Sequence, residues 1–309
     1  MRSSGTLMCI ASAACFGAMA IFGKLAYDEG ATVGTLLAVR FAFAAAVFWA
    51  FVAAAGTLGD VRAAGRGDLR LGIGLGAFGY AAQAGFFFSA LERIDASLLS
   101  LVLYTFPAIV AAAAVALGRE RMTGRRLLAL VLSLGGLALV VGGAGAGTLD
   151  AVGVALGLCA ALVYSTYILT SQGISGRLRP SVLSALVCSG AAVSLTLGAT
   201  LLGELRLGEL TLAGWGWLAA IALVSTVGAV GLFFAGLPRV GPTAASILST
   251  VEPLVTVILA FLVFGETLGL VQIAGGALVL AAVLVLNSGR GRPLPAAPVE
   301  HAAAARAAA

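Results

Sequence analysis

The chain has 309 residues, of which 61% are hydrophobic and only 10% charged, with a net charge of +5. Mean hydropathy is +1.10. A soluble domain carries roughly a quarter charged residues, so this composition excludes a water-soluble globular fold and points to the bilayer. Ten apolar stretches are long enough to cross a hydrocarbon core about 30 Å thick. In chain order they run roughly Leu7–Ala26, Thr35–Ala55, Leu71–Leu91, Ser97–Leu117, Leu127–Gly143, Val152–Ile168, Val182–Leu202, Trp215–Ala235, Thr243–Phe264 and Leu270–Leu286. The first follows Arg2 and has the look of a signal peptide, but its length and the nine spans after it predict a retained helix. The tail from Ser288 is rich in Arg, Pro and Ala without periodicity and is expected to be disordered.

Loop charge fixes the expected topology. With the N-terminus in the cytoplasm, fourteen of the eighteen basic residues fall on the cytoplasmic side, among them Arg62, Arg66, Arg70, Arg119, Arg121, Arg125, Arg126, Arg177, Arg179 and Arg239. The opposite loops hold Lys24, Arg93 and Arg206, together with Asp28, Glu29, Glu92, Asp95, Asp150, Glu204, Glu209 and Glu266. This is the positive-inside pattern, with both termini cytoplasmic. The +5 charge is therefore a topology signal, and no nucleic-acid partner is expected.

The two halves of the chain match at an offset of 146 residues. Gly85, Phe87, Phe88, Leu91, Arg93, Ser100, Pro107 and Glu120 correspond to Gly231, Phe233, Phe234, Leu237, Arg239, Ser246, Pro253 and Glu266. Ten spans over two repeats gives five per half, and an odd number forces the halves into opposite orientations. Arg93 and Arg239 indeed fall on opposite sides, as do Glu120 and Glu266. The expectation is an all-α polytopic membrane protein of ten transmembrane helices arranged as two inverted five-helix repeats. The repeats would occupy residues 1–146 and 147–289, with 290–309 a cytoplasmic tail.

Residues 103–107 read LYTFP and precede a span ending in GRE at 118–120; residues 249–253 read STVEP and precede a span ending in FGE at 264–266. A proline within the fourth span of each half, with a glutamate thirteen residues later at its end, resembles the EamA-type family of drug/metabolite transporters. The resemblance covers nearly the whole chain. It implies a ten-helix inverted repeat that moves small molecules by alternating access. The chain departs from the family pattern at Phe16-Gly17, where members often have Trp-Gly.

Two motif matches mislead. Gly74, Gly76 and Gly79 spell GxGxxG, but the dinucleotide loop needs a strand before it and a helix after it. Here the glycines lie inside a span, where Gly72 and Gly76 make a GxxxG packing face. Gly173-Ile174-Ser175-Gly176 spells the GxSG of rhomboid-like proteases, which need a histidine base in the membrane. The sole histidine is His301, in the tail, and no aspartate lies within an apolar stretch. An enzyme is not expected. The cysteines Cys9, Cys15, Cys159 and Cys188 all fall inside spans and read as small packing residues rather than a disulfide or metal set. No cofactor and no metal is expected.

What remains is the polar content of the spans, because charge at membrane depth is costly and faces a cavity or a partner. Arg40 and Glu252 are the clear cases, with Lys24 near the end of the first span. Arg40 is a candidate for an anionic group of a solute, or a structural charge that snorkels or satisfies carbonyls. Glu252 is a candidate for proton exchange, for a solute amine, or for a static pair with Arg40. Tyr80 and Gln83 share one face of the third span, and Tyr104 and Tyr164 add ring-plus-hydroxyl groups suited to an organic solute; interhelical hydrogen bonding is the plain alternative for each. Phe87-Phe88 and Phe233-Phe234 read as packing or lipid-facing pairs. Pro107 and Pro253 are matched candidate hinges, or static kinks. Taken together, the expectation is a secondary active transporter of the bacterial inner membrane exporting a small metabolite or drug-like compound, with protons as a candidate coupling ion. The alternatives are a non-transporting membrane scaffold and a nucleotide-sugar or sugar-phosphate transporter. No ATP-binding GxxxxGK[ST] loop is present.

Overall fold

A computed structural model describes residues 2–118, 121–143, 150–171, 174 and 177–287. The expectations placed on Arg119, Glu120, Gly173, Ser175, Gly176, His301 and the tail from Ser288 lie outside the described residues. Within them, ten helices are long and apolar enough to cross a membrane. They are Ser3–Asp28, Val33–Ala54, Arg66–Leu91, Ala96–Ala116, Gly124–Gly142, Ala151–Ser171, Pro180–Leu201, Leu212–Val240, Ile247–Phe264 and Leu270–Asn287, called here the first to tenth spans. The third begins five residues before the stretch expected from hydropathy, because its helix continues through the charged turn of Arg66, Asp68 and Arg70 beyond the apolar segment.

Local chemistry sets the helix starts. Thr32, Thr123 and Thr211 each accept a hydrogen bond from the backbone N–H three residues on, at Thr35, Arg126 and Gly214, which satisfies one of the orphan donors of a first turn. Pro180 opens the seventh span, where a missing N–H costs nothing.

The packing has two-fold symmetry. The second span packs on the seventh, the fifth on the tenth and the fourth on the ninth, while the first–eighth contact has its counterpart in the third–sixth contact. Each of these pairings maps onto itself or onto another when a span is exchanged for the one five places on. With an odd number of spans per half, that exchange turns the helices over, so the halves form an inverted repeat. The third and seventh spans touch backbone to backbone. A Cβ on Gly76 would stand 1.9 Å from the carbonyl oxygen of Val187, and one on Gly190 would stand 2.1 Å from that of Ile73. Of the GxGxxG glycines, Gly76 thus serves helix contact, whereas a Cβ on Gly74 would meet open space.

Four of the spans carry irregularities that are paired across the repeats. The fourth span breaks at Tyr104–Thr105 and the ninth at Thr250, positions that correspond at the 146-residue offset. Pro107 and Pro253 lie in the first turn of the helices that restart there, Phe106–Ala116 and Val251–Phe264. The discontinuity therefore sits just before each proline rather than at it. The physical reason is that the ring excludes the carbonyl four residues back, so the helix closes ahead of the proline and restarts with it in a tolerated position. The third and eighth spans carry π-helical turns instead, at Leu75–Tyr80 and Leu223–Gly228, a rare local form concentrated at functional sites.

Candidate functional site

The breaks and π turns surround a central chamber of about 1090 Å³. Arg40, Tyr80, Gln83, Tyr104, Tyr164 and Glu252 all line it, as does Pro107, whereas Pro253 is buried away from the lining. The chamber runs from Arg40 and Glu252 toward Thr123, Arg125 and Pro180, which are exposed at the end of the bundle where the arginine-rich loops lie. Among the described residues, none from the acidic loops at the other end lines it.

Arg40 is 1% exposed. Its Nε donates to the Thr226 hydroxyl at 3.0 Å and its Nη2 to the Tyr80 hydroxyl at 3.4 Å. The rings of Phe41 and Phe88 lie 4.8 and 5.5 Å from the guanidinium carbon, a cation–π setting. The side chain therefore turns inward and does not snorkel. Tyr80 ends one π turn and Thr226 lies within the other, and the two are 146 positions apart. One arginine is thus held by the same position of both repeats. Among the described residues it meets no carboxylate within salt-bridge distance, so the static pair with Glu252 does not form.

Glu252 lies at the break of the ninth span. The Tyr104 hydroxyl, at the break of the fourth, stands 3.0 Å from its Oε2 and 2.6 Å from the carbonyl oxygen of Ser249. That carbonyl is the one four residues before Pro253, which has no N–H to offer it. Behind Glu252 the first span approaches closely: a Cβ on Gly17 would stand 2.6 Å from the Glu252 carbonyl oxygen, and the Thr256 hydroxyl donates to the Gly17 carbonyl at 2.9 Å. Phe16 turns into the chamber. The Phe-Gly pair thus divides between a ring on the wall and a helix crossing that admits no side chain.

An unbroken chain of rings joins the two charges. Phe41 meets Tyr80 at 5.1 Å, Tyr80 stacks on Tyr167 at 5.8 Å, Tyr167 on Tyr164 at 6.4 Å, and Tyr164 meets Phe106 at 4.7 Å, which meets Tyr104 at 5.8 Å. These contacts are within the range of attractive aromatic pairs. The wall offers a flat apolar solute a surface that carries a cation at one end and a carboxyl at the other.

Ion pairs and hydrogen bonds tie the spans together at the acidic end. Lys24 pairs with Glu266 at 2.6 Å, and Glu266 also accepts from the backbone N–H groups of Ala96 and Ser97 and from the Ser97 hydroxyl. Nearby, Arg93 pairs with Asp150 at 3.2 Å, and the Tyr27 hydroxyl donates to the Phe88 carbonyl at 2.9 Å.

Sequence reasoning did not single out Thr226, Tyr167 or Ser249. Thr226 had a usable signal, since it is the repeat counterpart of Tyr80. Tyr167 lies one turn from Tyr164, on the same helix face. Ser249 contributes a backbone oxygen, for which a side-chain pattern holds no signal. Phe87 and Phe88 are buried against the chamber, at 8% and 0% exposure, and do not face lipid.

The model of the EamA-like transporter family matches residues 3–142 and 151–288. The chain is 27% identical over 280 residues to an "Uncharacterized transporter YcbK" of Bacillus subtilis (strain 168), covering 88% of this chain and 89% of that protein. It is 30% identical over 225 residues to an "Uncharacterized transporter" of Archaeoglobus fulgidus, covering 73% and 78%. A solved crystal structure shares the fold with a TM-score of 0.66 at 20% identity, over 94% of this chain and 100% of that one.

Proposed function

Because this chain belongs to the EamA-like transporter family, we propose that it is a secondary active transporter that exports a small organic metabolite or drug-like compound by alternating access. The membrane is the bacterial inner membrane, with the arginine-rich end and both termini in the cytoplasm, and the two repeats occupy residues 1–146 and 147–289. Protons supply the coupling. The observation that carries this reading is the chamber, which holds Arg40 and Glu252 unpaired, reaches one end of the bundle and, among the described residues, stops short of the other. In this state it faces the cytoplasm.

Each site residue then has a role. A buried guanidinium with only hydroxyl and ring neighbours lacks a counter-charge, and an anionic group on the solute supplies one. The rings of Tyr80, Tyr164 and Tyr167 hold the apolar body, and Gln83 and Tyr104 offer hydrogen bonds beside it. Pro107 and Pro253 keep the broken spans open at matched points, so that half-helices move while the bundle holds. A nucleotide sugar or sugar phosphate is less suited, since Arg40 is the one cation deep in the chamber among the described residues.

Reconstitution tests the reading. Proteoliposomes loaded with a cytosolic metabolite extract should show protein-dependent counterflow of particular compounds by mass spectrometry, lost in Arg40→Gln. Folded protein that moves no solute in either direction would favour the scaffold reading instead.

A further inference from the structure

At the two helix breaks a single phenol hydrogen faces two acceptor oxygens. Three oxygens converge: the Tyr104 hydroxyl, the Ser249 carbonyl at 2.6 Å from it and Glu252 Oε2 at 3.0 Å. A carbonyl oxygen only accepts, and an ionised carboxylate only accepts. The phenol carries one hydrogen. The shorter contact assigns it to Ser249, whose helical donor Pro253 has removed. The contact to Glu252 is then completed by a hydrogen from Glu252 itself, because two bare acceptor oxygens facing each other at 3.0 Å repel.

We propose, resting on the transporter reading above, that Glu252 is the proton-binding site of the cycle and is a neutral carboxylic acid in this state, donating to Tyr104, which donates to Ser249. When Glu252 releases its proton to water in the chamber, the phenol O–H turns to the new carboxylate and the Ser249 carbonyl is let go. Protonation thereby decides whether the broken fourth span grips the backbone of the broken ninth span or only its side chain. A proton and a joint between the two repeats are linked through one hydroxyl.

Apart from the Tyr104 hydroxyl, the surroundings supply no charge that would hold the carboxylate. The first span brings, toward the acidic end, Lys24, which is engaged by Glu266. The fourth brings Tyr104. The rest of the chamber lining brings Tyr80, Tyr164, Cys188 and Arg40. Arg40 is bonded to Thr226 and Tyr80, and no cation stands within salt-bridge distance of Glu252 among the described residues.

Infrared difference spectroscopy on the purified full chain in lipid, titrated with pH and without any solute, tests this directly. Subtracting Glu252→Gln from wild type should leave a protonated-carboxyl stretch at neutral pH that disappears in alkali. Gln keeps a donor toward Tyr104 and mimics the acid. Should that variant not fold, Glu252→Asp keeps the carboxyl and should shift the same band. Tyr104→Phe should move the band to higher frequency, since its acceptor is gone. An ionised-carboxylate band for Glu252 at neutral pH overturns the proposal, and so does a band that Tyr104→Phe leaves in place. In liposomes, Glu252→Gln should lose pH-driven accumulation. Retained pH-driven accumulation also overturns it. The spectrum needs no transport, so its outcome stands apart from that of the transporter reading.

Discussion

Lys24 and Glu266, 242 positions apart in the chain, meet at 2.6 Å, with the Glu266 side chain 6% exposed. Gly265, just before it, takes a left-handed φ of +70°, which turns the chain so that the carboxylate faces the start of the fourth span. There it accepts from Ala96 N–H at 3.1 Å and from Ser97 N–H at 3.0 Å, where a helix start favours negative charge. One carboxylate thus ties the first, fourth and ninth spans across the repeat boundary.

Removing one partner strands the other. Glu266→Ala should lower unfolding free energy by about 3 kcal/mol, the scale for breaking a buried ion pair. The Lys24→Met, Glu266→Met pair should be more stable than Glu266→Met alone. Thermal unfolding in detergent reads both, and additive losses would mean that the two residues are not coupled.

This tie should also respond to pH. Burial pushes the Glu266 carboxyl up, but the Lys24 ammonium and the Ser97 donors outweigh it and hold it below the ordinary value of 4.5. A depressed carboxylate contributes stability above its unfolded value and loses it as pH falls through the native one. The tie should therefore hold at neutral pH and loosen below about pH 4.5. Glu92 behaves in the opposite sense: burial first, then the Glu204 charge, raise it. Its contribution is lost as pH rises, so Glu92→Gln should raise the melting temperature at neutral pH and leave it unchanged in acid.

Pro253→Ala supplies an N–H that competes with Tyr104 for the Ser249 carbonyl. The ninth span should become continuous, thermal stability should hold or rise, and transport should slow about tenfold, equivalent to ~1.4 kcal/mol on the barrier. Counterflow at the wild-type rate would make the break purely architectural.

Sidedness is checked by labelling. In a variant lacking Cys9, Cys15, Cys159 and Cys188, a cysteine at exposed Glu209 should react with an impermeant reagent added outside intact cells. One at exposed Arg62 should react only after the membrane is opened. The reverse pattern would turn the whole topology over.

The ten spans are legible in the sequence because hydropathy measures the property a bilayer selects, and inversion follows from an odd count and loop charge. Arg40 and Glu252 stand out because a charge in an apolar run is costly. Their partners do not stand out. Thr226 and Tyr167 are ordinary residues in a helix until a π turn or a stack gives them a direction, and neither leaves a compositional trace. Glu266 reads as one more acid in a loop, since its value comes from Lys24 and from N–H groups 169 and 170 positions away. The break at Tyr104 is hidden for the same reason, because proline marks a neighbourhood and not the residue where the helix gives way.

The grip of Tyr80 and Thr226 on Arg40 has a consequence for how such a protein diversifies. Duplication copied the hydroxyl positions but not the charge, since 146 residues beyond Arg40 the chain has Leu186. On the proposed alternating-access cycle, a single cation shared by both repeats would present the same electrostatic character whichever face of the bundle is open. Replacing that one residue would alter selectivity for loading and for release together, in one mutational step. A pair of matched charges would demand two coordinated changes, with an impaired intermediate between them.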